Sequence, residues 1–126
     1  MKILLFVALG GALGASCRYG AGIAAAHFGS GHFPWGTFAV NVAGSFLLGM
    51  LAAILTFSWS PSPEIRAFLV VGVLGGFTTF SAFSLDVALL IERDRLVLAA
   101  IYLVGTVALS VGGLFAGLRL TRMVLT

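Results

Sequence analysis

Charge is what this sequence has least of. Seven basic and four acidic side chains stand among 126 residues, 9% of the chain against 60% hydrophobic. A soluble domain carries roughly 25% charged residues, so there is too little polar surface here to clothe a water-soluble fold. The surface must face lipid. The single cysteine, Cys17, sits inside an apolar run and excludes a disulfide framework within the chain. The three prolines fall at 34, 61 and 63, in short turn-like stretches between apolar runs. Both histidines flank one such turn, at 27 and 32, and form no metal-spaced cluster. No nucleophile–base pair and no strand–glycine loop–helix pattern is present, which argues against an enzyme. The net charge of +3 is not a nucleic-acid footprint, because the basic residues are scattered singly at the ends of apolar runs, as interface anchors are.

What remains is apolar length. A spanning helix uses about 20 residues, so four spans nearly exhaust the chain and leave no room for a soluble catalytic domain. The expected architecture is all-α: one transmembrane domain over residues 1–126, with spans at about 3–28, 35–57, 67–90 and 96–118. Residues 29–34 and 58–64 supply the first two turns. Trp35 and Trp59 bracket the second span, and Glu92-Arg93-Asp94-Arg95 is the one strongly charged turn. Lys2 ahead of an apolar run resembles a signal peptide, and Leu13-Gly14-Ala15-Ser16-Cys17 hints at a lipoprotein cleavage site. Gly14 stands where an aliphatic residue belongs in such a site, and the apolar run resumes after Arg18 to Phe28, so a retained first helix is expected. Four spans bring both ends to one side, with Lys2, Arg66, Arg119 and Arg122 opposite Arg93 and Arg95. That bias is weak, and charge alone leaves single and dual insertion both open.

In lipid the informative residues are the polar ones at depth. The second span carries Thr37, Asn41 and Ser45 at spacing four, one helix face, and the fourth repeats this with Tyr102, Thr106 and Ser110. Asn41 lies roughly 10 Å below Trp35 at about 1.5 Å per residue. Its amide calls for an interhelical hydrogen bond or a wet path, and the two polar stripes suggest facing walls. The third span holds Gly75-Gly76-Phe77-Thr78-Thr79-Phe80-Ser81-Ala82-Phe83-Ser84. Two glycines followed by two β-branched residues make a poor helix interior near the midplane. Either the helix breaks there, which requires burial in protein or a cavity, or glycine admits a close helix crossing. Phe80 and Phe83 share a face, and phenyl ring edges are electropositive. Asp86 is placed about 28 Å along the third helix from Ala67, near the far interface, and is expected to be solvated and of small effect. Arg18 either snorkels outward or sets a positive field at a vestibule. Gly10 with Gly14, and Gly113 with Gly117, suit tight helix packing.

Three segments together carry a resemblance that covers essentially the whole chain. Gly11-Ala12-Leu13-Gly14-Ala15 with Arg18-Tyr19, Gly36 through Phe46, and Gly75 through Ser84 resemble the CrcB/Fluc fluoride channels in order and spacing. The resemblance implies a passive channel in the microbial inner membrane that lets toxic cytoplasmic fluoride leave. It also implies an antiparallel, dual-topology homodimer with two fluoride pathways. Asn41, Phe80 and Phe83 match the pore residues. Thr37, Ser81, Ser84, Tyr102 and Ser110 are carried over as pathway lining. Gly75 and Thr78 match the break whose main-chain carbonyls hold a central sodium ion (Na+), structural rather than transported. Ala82 departs from the family, which often has a hydroxyl there. The implied function fits the residues: fluoride is strongly hydrated, and a pore must replace its water with amide, hydroxyl and ring-edge donors yet release the ion. Two other classes stay open. A small proton-coupled antiporter shares four spans and dual topology but needs a deep acid, and the first, second and fourth spans have none. A non-transporting membrane assembly subunit would show no ion flux in vesicles.

Overall fold

A computed structural model describes residues 1–29 and 31–126. Helix α1 (Lys2–Phe28) leads through a short turn into α2 (Trp35–Phe57). The third span, Pro63–Glu92, is assembled from pieces: α3 (Pro63–Ala67), a π-helical segment (Phe68–Leu74), α4 (Gly75–Phe77) and α5 (Phe80–Glu92). Helix α6 (Leu96–Leu125) closes the chain. Among the described residues, four helical stretches are therefore long and apolar enough to cross a membrane. Leu4, Leu9, Leu13, Val97, Val104 and Met123 are among the large apolar side chains left exposed on their outer faces, where lipid rather than water suits them.

The third span begins earlier than the apolar run. Ser62 caps it by accepting a 3.3 Å bond from the Ile65 N–H, and Pro63 occupies the first turn, where a missing N–H costs nothing. The fourth runs past Leu118, carrying Arg119 and Arg122 as part of the helix, with the Arg122 guanidinium 5.8 Å over the Phe57 ring. In the first turn, Ser30 lies outside the described residues. Gly31 adopts φ 86° there, and Phe33 packs on Trp35 with ring centroids 4.4 Å apart.

Helix pairs close on glycine. Gly10 and Gly14 of α1 are buried against the π segment, where a Cβ on Gly10 would meet the Gly72 Cα at 2.9 Å. Gly49 and Gly117 do the same for α2 against α6, each facing backbone of the other helix. In lipid there is no hydrophobic force between helices, so such backbone approach is what association rests on.

The glycine pair in the third span proves to be the crossing, and the break lies three residues further on. Gly75 and Gly76 are helical, and a Cβ on Gly76 would meet the Gly11 carbonyl oxygen at 2.9 Å. Thr78 (ψ 159°) and Thr79 (φ −154°, ψ 124°) are the extended residues, at the middle of the 30-residue span. Glycine's weak helix propensity is overridden where lipid leaves its backbone no other partner. β-Branched threonine accepts the extended geometry readily and brings a hydroxyl to cap it.

Candidate functional site

A break in mid-membrane must account for every backbone group it frees. Here the accounting runs through four side chains. The Leu74 carbonyl accepts from the Thr78 N–H at 3.1 Å and from the Thr78 hydroxyl at 3.0 Å. The Gly76 carbonyl accepts from Arg18 Nε at 3.1 Å. Asn41 pairs with the Thr79 peptide on both sides: its Oδ1 accepts from the Thr79 N–H at 2.8 Å, and its Nδ2 donates to the Thr79 carbonyl at 3.0 Å. The Thr79 hydroxyl then caps α5 by accepting from the Ala82 N–H at 3.1 Å.

This geometry fixes which way the Asn41 amide faces. A peptide offers one donor and one acceptor, and the carboxamide answers each in turn. One N–H of Nδ2 is thereby committed, and the second remains for whatever lies beside it. Beside it is a groove of about 350 Å³, lined by Asn41, Ser45, Thr78, Thr79, Phe80 and Phe83 on one side and Thr106, Val107, Ser110 and Val111 on the other. The Thr106 and Ser110 hydroxyls are buried and have no partner within the chain. Phe80 and Phe83 stand with centroids 5.5 Å apart and planes at 57°. Phe83 is buried at 3% exposure, while Phe80 is 76% exposed at the groove's open side.

Asn41 and Ser45 of one polar stripe and Thr106 and Ser110 of the other come together at this groove, and Phe80 and Phe83 of the third span join them. Thr37 and Tyr102 lie elsewhere. Tyr102 is fully buried in an aromatic cluster with Phe33 and Phe83, and its hydroxyl donates to Asp86 Oδ2 at 3.0 Å. Asp86 is accordingly half-buried and hydrogen-bonded, rather than simply solvated as its distance along the helix suggested. Thr37 lines a second cavity of about 370 Å³ with Arg18, Tyr19, Thr79 and Ala82. Ser81 sits beside the Thr79 hydroxyl at 3.3 Å, and Ser84 donates back to the Phe80 carbonyl at 2.9 Å; both are exposed on this chain. Arg18 turns inward, so the outward-snorkelling alternative does not hold.

Thr79 touches both cavities and both halves of the broken helix, yet sequence reasoning gave it no site role. The available signal was a threonine just before a renewed helical run, the ordinary mark of a helix start. The break also brings two opposite helix ends to mid-membrane. Carbonyls at the end of α4 favour positive charge, as the Arg18 guanidinium supplies, and the N–H groups opening α5 favour negative charge.

Asp86→Asn keeps an oxygen acceptor for the Tyr102 hydroxyl and is expected to hold ion flux within about threefold of the unaltered protein. Asp86→Ala removes the acceptor of that buried phenol, at a cost of about 1–3 kcal/mol, and is expected to lower thermal stability. A flux assay alongside a melting curve reads both, and selective loss of flux in Asp86→Asn would give the carboxylate a transport role.

Residues 5–118 match the family model described as CrcB-like protein, Camphor Resistance. The chain belongs to the CrcB family. It is 57% identical over 122 residues to the fluoride-specific ion channel FluC of Rhodospirillum centenum, with 97% of each chain covered. It is 52% identical over 118 residues to FluC 2 of Nitrobacter hamburgensis, covering 94% of this chain and 95% of that one. With FluC of Agrobacterium fabrum it shares 48% over 119 residues, again 94% and 95%.

Proposed function

We propose that this protein is a fluoride-selective passive channel, not an enzyme, that releases cytoplasmic fluoride across the inner cell membrane and so limits its toxicity. The observation that carries the reading is the groove itself: an asparagine with one uncommitted N–H, two buried hydroxyls without partners and two phenyl rings, with no carboxylate among its lining residues. A desolvated small anion needs such donors, and an acid in the wall would repel it. Purified protein in lipid vesicles, loaded with fluoride or chloride and given a potassium-ionophore shunt, tests this. Rapid fluoride efflux with chloride retained, at equal pH on both sides, is the expected result. Efflux that needs a proton gradient would favour an antiporter, and no efflux of either ion would favour an assembly subunit.

The working unit is an antiparallel dual-topology homodimer. Its support is the half-open groove: on a single chain in lipid it would set the uncommitted Asn41 N–H and the Thr78–Thr79 break against hydrocarbon. A second copy related by a two-fold axis in the membrane plane covers both. Labelling of a terminal cysteine is expected from both faces of the membrane in roughly equal amounts, as an isologous antiparallel pair requires. Labelling from one face alone would exclude this arrangement.

A structural sodium ion, not transported, fits the carbonyls of Gly75 and Thr78. The fit rests on hydrogen-bond counts. In an unbroken helix the Gly75 carbonyl would accept from the Thr79 N–H and the Thr78 carbonyl from the Ala82 N–H, but those donors go to Asn41 and to the Thr79 hydroxyl. Both oxygens thus lose their helical donors, and hard cations favour such neutral oxygen ligands. Among the described residues no cluster of acidic, histidine or cysteine side chains offers a competing site. When bound, the ion would neutralise carbonyl dipoles converging from two copies of the break.

A further inference from the structure

The two carbonyls suited to the cation are the two whose helical donors are taken by side chains. Asn41 Oδ1 holds the Thr79 N–H at 2.8 Å, which leaves Gly75 without its partner four residues on. The Thr79 hydroxyl holds the Ala82 N–H at 3.1 Å, which leaves Thr78 in the same condition. The neighbouring carbonyls are treated differently. Gly76 is given Arg18, Leu74 is given Thr78, and the Thr79 carbonyl is given Asn41 Nδ2. Among these five carbonyls, Leu74, Gly76 and Thr79 are satisfied while Gly75 and Thr78 are kept open, and polar side chains do the sorting.

We propose that Asn41 and Thr79 are positioning residues of the cation site, keeping the Gly75 and Thr78 carbonyls open by capturing the N–H groups that would otherwise close on them. The inference rests on the sodium reading above and adds a coupling to it. The amide that presents a donor to the groove also opens a cation ligand, the Gly75 carbonyl, by holding the Thr79 N–H. Without the Asn41 acceptor, the Thr79 N–H in mid-membrane has the Gly75 carbonyl as its nearest alternative by helical connectivity. An unsatisfied N–H there is costly, so the helix would close over the ligand. Thr79→Val does the same for Ala82 and Thr78 while keeping the β-branched shape. Thr79→Ser keeps the hydroxyl and should keep the site.

The test titrates sodium, balanced by N-methyl-D-glucamine at constant ionic strength, against the thermal midpoint of the purified protein in detergent. The unaltered protein is expected to be stabilised with a saturable sodium dependence. In Asn41→Leu and in Thr79→Val the half-saturating sodium concentration is expected to rise by about tenfold or more, the scale of one lost oriented contact. Thr79→Ser and Thr106→Val are expected to keep the original value, the latter although it removes a groove hydroxyl. A variant that is merely less stable melts earlier with no change in half-saturation, which separates positioning from general loss of packing. Should Asn41→Leu fail to fold, Thr79→Val against Thr79→Ser still decides. Unchanged half-saturation in both Asn41→Leu and Thr79→Val overturns this inference and leaves the sodium reading standing. No sodium dependence in the unaltered protein overturns both.

Discussion

Fluoride efflux from vesicles is expected to fall at least about 100-fold in Asn41→Asp, an effect of the size that one added charge has on an anion's occupancy. Aspartate can still accept from the Thr79 N–H. Its second oxygen, however, replaces the nitrogen that now donates to the Thr79 carbonyl at 3.0 Å, and two acceptors then face each other. The groove loses the uncommitted N–H and gains a negative charge on its wall. Two unit charges about 4 Å apart at an effective dielectric of about 20 repel by about 4 kcal/mol, and about 1.4 kcal/mol is a factor of ten. Even with heavy screening the penalty for fluoride entry is large. A fluoride-electrode assay with size-exclusion profiles for each preparation reads it. Undiminished efflux from a well-folded Asn41→Asp preparation would remove this asparagine from the pathway.

The second large effect is expected from the rings. Phe80→Ile and Phe83→Ile keep an apolar side chain of similar bulk but delete the electropositive ring edge. Each is expected to slow fluoride efflux by about two- to tenfold, the range that aromatic interactions of about 0.5–1.5 kcal/mol convert to. The two differ in what else they disturb. Phe83 is buried and also packs on Tyr102, with centroids 5.1 Å apart and planes at 57°, so its loss should lower the melting temperature as well. Phe80 is 76% exposed on the single chain and should lose flux with little change in stability. Efflux at the original rate in both variants would mean that the rings only fill space.

Several of these residues were visible before any fold was known, and several were not. Asn41 announced itself because an amide inside a 23-residue apolar helix has to find a partner. Ser110 and Thr106 followed from spacing four on the last span, and Phe80 with Phe83 from spacing three. Such periodicities are local, and a regular helix projects them directly into space. Tyr102 shares the spacing of Thr106 and Ser110 but not their groove: the Phe33 and Phe83 rings and the Asp86 carboxylate hold it in the core, and none of those contacts is local.

The chain by itself therefore determined that it lives in lipid, crosses it four times and carries polar stripes on the second and fourth spans. Apolar length, charge scarcity and helical period are properties of consecutive residues, and lipid leaves the backbone almost no choice but helix. Tertiary structure alone decided that the third helix parts at Thr78 and Thr79 rather than at the glycines, that Arg18 points inward, and that Asp86 is bonded rather than solvated. A break forms where its freed N–H and C=O groups can be answered. Here the answers come from Asn41, 38 residues away in sequence, and from Arg18, 58 residues away, so the third span by itself offers only the local mark of a threonine ahead of a helical run.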